Sequence, residues 1–213
     1  MPCLRMNGLF PAGLYACDPE NVRKVRDYAF AAFERMRACG ASVVVYGAPG
    51  ARNAALFTDG QTAIDRYCMS LEAMLPAAEA FGVCIAVEPL NAMESNLIHT
   101  VAEGAQVVRR MDHPNIGLLA DLYHMHLARE DFGVLGESGA LLRHIHLART
   151  LKRDLPCPGD EEDYIGFFAA LYRGGYDGTV SIEARPSESF EKQAKEALLH
   201  LRACDEAAKA AVR

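Results

Sequence analysis

Four residues that can bind a metal ion recur along the sequence at intervals of about one βα unit. They are Glu88, Asp121, His146 and Glu183, separated by 33, 25 and 37 residues. Each ends a short apolar run that predicts a β-strand. Because parallel strands deliver their carboxyl ends to the same edge of a sheet, we expect the four side chains to meet there.

Three carboxylates and one imidazole form a ligand set made mostly of oxygen. Such a set suits Mn²⁺, Mg²⁺ or Co²⁺ better than a structural zinc ion, whose sites favour cysteine and histidine. A divalent ion of this kind can bind a carbonyl and the adjacent hydroxyl of a substrate, polarise the carbonyl, and stabilise the enediolate that forms when the neighbouring proton leaves. Carboxylates beside the ion can then move that proton.

Each of the four residues also has an ordinary structural explanation. Glu88 could face water at the end of its strand, and Asp121 could cap the following turn. Glu183 could form a surface ion pair with Arg185, and His146 could be a hydrogen-bonded core histidine. Four buried polar groups that converge nevertheless need a common partner, which a divalent cation supplies.

The elements that must position these residues alternate between short β-rich runs and longer amphipathic runs, which predicts an α/β fold with a parallel sheet. The predicted strands are residues 4–10, 42–46, 83–88, 116–121, 142–147 and 179–184. The predicted helices are residues 19–39, 62–81, 100–111, 162–173 and 187–212, with a partly helical stretch before the fifth strand.

Composition limits the class of protein and its partners. The chain has 213 residues, of which 51% are hydrophobic and 23% charged, as in a globular protein with one large core. The net charge of −6 disfavours a nucleic-acid partner. No apolar run is long enough to span a membrane, and no secretory signal is evident. We therefore expect a single domain over residues 1–213 and a cytoplasmic protein.

Four segments around the candidate ligands resemble a known family. They read VEPLNAME at 87–94, LADLYHM at 119–125, HIH at 144–146 and GYDGTVSIE at 175–183. In combination and order they resemble the xylose-isomerase-like sugar phosphate isomerase/epimerase superfamily, and within it the D-tagatose/D-allulose 3-epimerase group. The resemblance runs from about residue 4 to the C-terminus and implies a TIM (β/α) barrel.

The resemblance also implies roles for individual residues. Glu88, Asp121, His146 and Glu183 would bind Mn²⁺ or a similar ion. Glu88 and Glu183 would be the acid/base pair that removes and returns the C3 proton from opposite faces of the sugar. By the same matching, a second glutamate and a histidine would contact substrate hydroxyls and the carbonyl: Glu94 and His124.

The family also has a substrate-binding arginine just after the histidine strand. Its local match here is Arg153, which stands one residue later than in the family. Lys152 occupies the unshifted position, and Arg149 is the remaining candidate. All three could instead be solvated loop charges.

The number of predicted strands differs from that of a complete barrel, which has eight βα units and about 250 residues. The six strands match strands three to eight of the family, so we expect the first two units to be absent. The chain would then be shortened, would cover the gap as a homo-oligomer, or would have degenerated. In each case the candidate ligands lie on strands that are present.

The sequence thus predicts a metal-dependent isomerase or epimerase of a ketose or related small sugar. A dehydratase or a hydroxypyruvate isomerase on the same scaffold is an alternative, as is a non-catalytic sugar-binding or partner subunit. The apurinic endonuclease branch of the superfamily needs more histidines and a basic surface, which the net charge opposes.

Overall fold

A computed structural model describes residues 3–53, 59–185 and 189–212 of the chain. In this part the strands are β1 (Arg5–Met6), β2 (Val43–Tyr46), β3 (Cys84–Val87), β4 (Ile116–Asp121), β5 (Leu142–Leu147) and β6 (Val180–Ile182). They form a six-stranded sheet in chain order, β1-β2-β3-β4-β5-β6. The pairs β1–β2, β2–β3, β3–β4 and β5–β6 are parallel, which confirms the predicted parallel α/β fold.

Helices connect these strands. They are α1 (Val22–Cys39), α2 (Pro49–Arg52), α3 (Gly60–Phe81), α4 (Val101–Met111), α5 (Leu122–Ala128), α6 (Gly133–Ser138), α7 (Tyr164–Arg173) and α8 (Phe190–Ala211). Short 3-10 helices at Pro19–Asn21 and Gly139–Leu141 precede α1 and β5. The chain divides into two compact units, residues 1–119 and 120–213, and the boundary falls inside β4.

In the first unit, helix ends follow the capping signals in the sequence. Asp59 accepts a hydrogen bond from the Thr62 amide at the start of α3. Thr100 accepts one from the Glu103 amide at the start of α4. Helix α1 ends at Gly40, whose φ of 82° is a left-handed conformation that glycine adopts without strain. The first and last residues of α1, α3 and α4 agree with the predicted helices to within three residues.

The first strand is shorter than predicted. Residues 4–10 were expected to form it, but β1 contains only Arg5 and Met6. The chain turns at Asn7, whose side-chain oxygen accepts from the amide of Gly8 at 2.7 Å, and Gly8 itself has a φ of 68°. A glycine with positive φ cannot continue an extended strand, so the turn ends the pairing.

The second unit contains the end of β4, the strands β5 and β6, and helices α5 to α8. Helices α7 and α8 pack against each other. Helix α7 begins after Asp163, whose side chain accepts from the Gly166 amide. Helix α8 starts at Phe190, and the predicted start at residue 187 lies outside the described residues. Among the described residues, no helix has both the length and the apolar character needed to cross a membrane.

Candidate metal centre

Asp121 ends β4 and also caps the helix that follows it. One side-chain oxygen, Oδ1, accepts from the Tyr123 amide at 2.9 Å, so the capping explanation is correct for that oxygen. The other, Oδ2, lies 3.8 Å from His124 Nε2 and 3.8 Å from Arg153 Nη2. The residue is only 2% exposed. The carboxylate of Asp121 therefore caps α5 through Oδ1 and faces the side chains of His124 and Arg153 through Oδ2.

His146 and Glu183 come together through the pairing of β5 with β6. His146 lies opposite Ser181 in this parallel pair, and the amide of Glu183 extends it by donating to the carbonyl of Leu147 at 3.0 Å. Nδ1 of His146 is 3.4 Å from Oε2 of Glu183. With Asp121, these residues offer one ligand atom each, all within 4.8 Å of one another.

Arg153 reaches the same group from the loop after β5. Its Nη2 donates to Glu183 Oε2 at 2.7 Å, and its guanidinium lies over the ring of Tyr123, 4.6 Å from the centroid. The main-chain carbonyl of Arg153 accepts from the amide of Arg185 at 2.7 Å. Arg153 is therefore an ion-pair partner of Glu183, whereas the sequence had offered Arg185 for that role.

The two other candidates for the substrate-binding basic residue, Arg149 and Lys152, have different surroundings. Both Nε and Nη2 of Arg149 donate to Asp154, each at 2.6 Å. This hydrogen-bonded pair raises the pKa of Arg149 and lowers the pKa of Asp154. Lys152 is exposed. Of the three basic residues proposed from the sequence, the structure brings Arg153 to Asp121 and Glu183.

Opposing effects set the ionisation of Glu183. Burial favours its neutral form and raises the pKa, but a hydrogen bond and the charge of His146, together with Arg153, act in the opposite direction. The net result lowers the pKa of Glu183 to about 2. Glu183 is therefore an ionised carboxylate near neutral pH, as required of a metal ligand or a general base.

Two further histidines lie beside this group. His124 on α5 is 1% exposed and packs edge-on against Tyr123, with ring centroids 5.1 Å apart. His144 shares a hydrogen bond of 2.9 Å with the Thr179 hydroxyl, and its ring packs edge-on against His146 at 5.0 Å. His144 is therefore a hydrogen-bonded core histidine that also supports a candidate ligand.

Glu88 lies in the first unit, one residue after β3, and is 3% exposed. Its carboxylate occupies the space beside Gly47, where a Cβ atom would collide with Oε2. Glycine is therefore required at position 47 to admit this carboxylate. Glu94 follows in the same unit, and its Oε1 accepts from the Asn91 side-chain amide at 3.0 Å.

Arg52 is a buried residue that the sequence reasoning missed. Position 52 lies between the predicted strand 42–46 and the predicted helix 62–81, where an arginine looks like an ordinary loop charge. In the structure Arg52 is fully buried, and it donates to the carbonyl of Glu88 at 2.5 Å. No local signal reveals this burial, because four of the five acceptors lie 36 to 46 residues further along the chain.

The donor set is compatible with a divalent cation. Within the second unit, Asp121, His146 and Glu183 supply two carboxylates and an imidazole, all buried or half-buried. Oxygen ligands with a single imidazole suit hard or borderline ions rather than a cysteine-rich zinc site. This chemistry agrees with the ligand types predicted from the sequence.

Comparison with known proteins gives a family match over nearly the whole chain. A family described as a xylose isomerase-like TIM barrel matches residues 4–204. A solved structure of a 3-keto-D-glucoside 4-epimerase from E. coli superposes with a TM-score of 0.82 at 20% identity. The superposition covers 96% of this chain and 80% of that one.

Two curated relatives resemble part of the chain. A D-psicose 3-epimerase from Ruminiclostridium cellulolyticum is 32% identical over 120 residues, which are 56% of this chain and 40% of that protein. A putative hydroxypyruvate isomerase from Drosophila melanogaster is 32% identical over 138 residues, which are 62% of this chain and 52% of that protein. The chain thus matches about half or less of the length of these relatives.

Proposed function

Because this chain belongs to the xylose isomerase-like TIM barrel family, we propose that it is a divalent-metal-dependent isomerase or epimerase of a ketose or related small sugar. The observation that carries the proposal is the meeting of Asp121, His146 and Glu183 with Arg153 at strand ends in the second unit. The D-psicose 3-epimerase among the curated relatives supports the choice of a ketose.

The ligand set that we propose is Asp121, His146 and Glu183, completed by Glu88. Glu88 is a buried carboxylate that follows β3, and β3 pairs with the beginning of the strand that Asp121 ends. Three carboxylates and one imidazole suit Mn²⁺, Mg²⁺ or Co²⁺, and we propose Mn²⁺ because the family resemblance implies it. When bound, the ion would polarise a substrate carbonyl and acidify the adjacent carbon.

The reaction that we propose is a proton transfer at C3 of the sugar. Glu183, which is ionised near neutral pH, removes the proton from one face, and Glu88 delivers a proton to the other face. Inversion at C3 follows when the two carboxylates act from opposite sides. Before the next turnover Glu183 releases its proton to solvent and Glu88 takes one up, which restores both side chains and lets solvent deuterium reach C3.

Three further residues would bind the substrate. Arg153 carries a guanidinium that can donate to a sugar oxygen while it stays near Glu183. His124 and Glu94 would bind hydroxyls and the carbonyl. A small sugar presents several such oxygens, so these residues would determine which carbon faces the acid/base pair.

The test is solvent exchange at C3. The purified protein with Mn²⁺ is incubated with a panel of ketoses in D₂O, and deuterium at C3 is followed by NMR. We expect Glu183→Gln to reduce the exchange roughly 10²- to 10⁴-fold, as for the loss of a general base. The matched control is Glu161→Gln, an exposed glutamate of the same unit, which should exchange like the wild type. Full exchange by Glu183→Gln overturns the proposed mechanism.

A second candidate function is hydroxypyruvate isomerisation, which the relative from Drosophila melanogaster favours because it matches 62% of this chain. Here the same carboxylates would move a proton between neighbouring carbons of a three-carbon substrate. Product analysis with hydroxypyruvate, ketoses and an inosose separates this candidate from the epimerase and from a dehydratase. Mn²⁺ binding without turnover of any substrate would instead favour a sugar-binding subunit.

The predictions for assembly and location are also proposals. We expect a cytoplasmic homo-oligomer whose partner is a small sugar rather than nucleic acid. Light scattering coupled to size-exclusion chromatography measures the mass of the assembly. A purely monomeric protein would show that copies of this chain do not assemble.

A further inference from the structure

We propose that Arg52 is a positioning residue that holds both ends of the segment 88–98, which carries Glu88 and Glu94. The inference rests on the proposed function for the roles of these two glutamates. Arg52 lies at the end of α2, in the first unit, and is fully buried. Its hydrogen bonds, unlike those of Arg153, are made to main-chain carbonyls and a hydroxyl.

All three guanidinium nitrogens of Arg52 donate hydrogen bonds. Nη1 donates to the carbonyls of Glu88 at 2.5 Å and Tyr46 at 3.4 Å. Nε donates to the Ser95 hydroxyl at 3.3 Å. Nη2 donates to the carbonyls of residues 97 and 98, at 3.1 and 3.3 Å. One rigid planar group thus joins the end of β2, the residue after β3 and the far end of the 88–98 segment.

These acceptors enclose the part of the segment that carries the chemistry. Glu88 lies at its start, and the remaining segment acceptors lie after Glu94. The amide of Leu90 donates to the carbonyl of Ile98 at 3.0 Å, which closes the segment into a loop. Asn53, next to Arg52, donates from Nδ2 to the carbonyl of Glu94 at 3.3 Å. Arg52 and Asn53 therefore fix the two backbone positions from which the side chains of Glu88 and Glu94 project.

A buried guanidinium is an expensive way to stabilise a loop. Every hydrogen-bond acceptor of Arg52 among the described residues is a neutral oxygen, so none of these bonds is the charge-to-charge pair that usually accompanies a buried guanidinium. An apolar side chain would fill the same space without that cost. What the guanidinium adds is a fork of fixed geometry that can hold two separated stretches of main chain at once.

Arg52→Lys is the variant that tests this role. Lysine keeps the positive charge and most of the apolar stem, but its donors all lie on one nitrogen, which cannot reach both ends of the segment. The matched control is Tyr67→Phe. Tyr67 lies under Arg52 and donates to the Tyr46 carbonyl at 3.3 Å, and in the described part of the chain its hydroxyl makes no hydrogen bond to residues 88–98.

Hydrogen–deuterium exchange of the metal-free protein measures the positioning directly. We expect the amides of residues 88–98 to exchange at least about tenfold faster in Arg52→Lys, because both ends of the segment lose donors. Tyr67→Phe should exchange there like the wild type. Should Arg52→Lys fail to fold, Ser95→Ala removes the Nε acceptor together with two hydrogen bonds between the Ser95 hydroxyl and the main chain of Leu97. It leaves the bonds from Arg52 to the carbonyls in place and should show a smaller acceleration in the same peptides.

A Mn²⁺ titration of the same proteins measures whether the positioning serves the metal site. We expect the dissociation constant to rise roughly 10- to 100-fold in Arg52→Lys, as for residues that orient a ligand. Tyr67→Phe should leave it unchanged. A protein with lower stability but correctly placed ligands would not show this weakening.

The outcomes separate this inference from the proposed function. Wild-type exchange in folded Arg52→Lys, or equal acceleration in Tyr67→Phe, overturns the positioning role. Accelerated exchange with unchanged Mn²⁺ affinity also overturns it, because the segment would then be held for another purpose. If the wild-type protein binds no Mn²⁺ and alters no sugar, the proposed function fails, while the exchange data still decide whether Arg52 holds the segment.

Discussion

Arg52 and Arg153 each contact a glutamate of the proposed ligand set, but their partners differ in kind. Arg52 is fully buried and donates to main-chain carbonyls and one hydroxyl. Arg153 is partly exposed and faces the carboxylates of Glu183 and Asp121. Hydrogen bonds to main-chain carbonyls fix the path of the backbone, whereas a side-chain carboxylate can release a guanidinium and bind another cation. Arg52 is therefore suited to fixing the backbone of the first unit, and Arg153 to the substrate binding that we propose in the second unit.

The largest difference that we expect between them is in stability. Arg52→Met removes all five buried hydrogen bonds of the guanidinium, and a hydrogen bond to a charged group contributes about 1.5–3 kcal/mol. We expect the free energy of unfolding to fall by more than about 3 kcal/mol. Arg153→Met should lower it by less than about 1 kcal/mol, as for a partly exposed ion pair. Because the chain has no tryptophan, far-UV circular dichroism in urea is a suitable measurement. Equal losses in the two variants would refute the distinction.

The next effect concerns turnover and separates binding from stability. Arg153→Met should lower kcat/KM for the preferred sugar roughly 10- to 100-fold, because it removes a charged hydrogen-bond donor worth about 1.5–3 kcal/mol. Its affinity for Mn²⁺ should not weaken, since a competing cation has left the carboxylates. Arg173→Met, which removes an exposed arginine at the end of α7 in the same unit, is the control and should retain turnover. Weaker Mn²⁺ binding by Arg153→Met contradicts this account.

A smaller effect is expected from the pair that orders the loop around Arg153. The hydrogen bonds from Arg149 hold the pKa of Asp154 below its usual value of 3.8. A carboxyl with a lowered pKa stabilises the folded state above its unfolded pKa, about 3.9, and this contribution is lost as the pH falls through the folded pKa. The stability difference between wild type and Asp154→Asn should therefore be largest at neutral pH and shrink below about pH 4. Urea unfolding at pH 7 and pH 3 measures it, and a constant difference would count against the assignment.

The smallest effect should come from the ring beneath Arg153. Tyr123 lies 4.6 Å from the guanidinium, and such contacts contribute about 0.5–1 kcal/mol at partly exposed sites. Tyr123→Leu should therefore reduce kcat/KM only about two- to fivefold. Tyr123→Phe preserves the ring and should behave like the wild type. A loss as large as that of Arg153→Met would assign Tyr123 a direct part in the reaction.

The strands and their terminal residues could be predicted because the signals are local. Short apolar runs, caps such as Thr100, and a proline after a strand end mark the elements within a few residues. The choice of Arg153 over Arg149 depends on a loop in which Arg153 itself has a φ of 50° and Asp154 holds Arg149. The burial of Arg52 depends on acceptors 36 to 46 residues further along the chain. Neither arrangement is visible in a local pattern.

The most direct test of the central claim is to titrate metal-free protein with Mn²⁺ while following deuterium incorporation at C3 of the preferred ketose. The account predicts no exchange without metal, and exchange that rises with bound Mn²⁺ and saturates when one ion is bound per chain. It also predicts that removal of the ion with a chelator abolishes the exchange reversibly. Exchange that proceeds at full rate in the chelated protein would contradict the account.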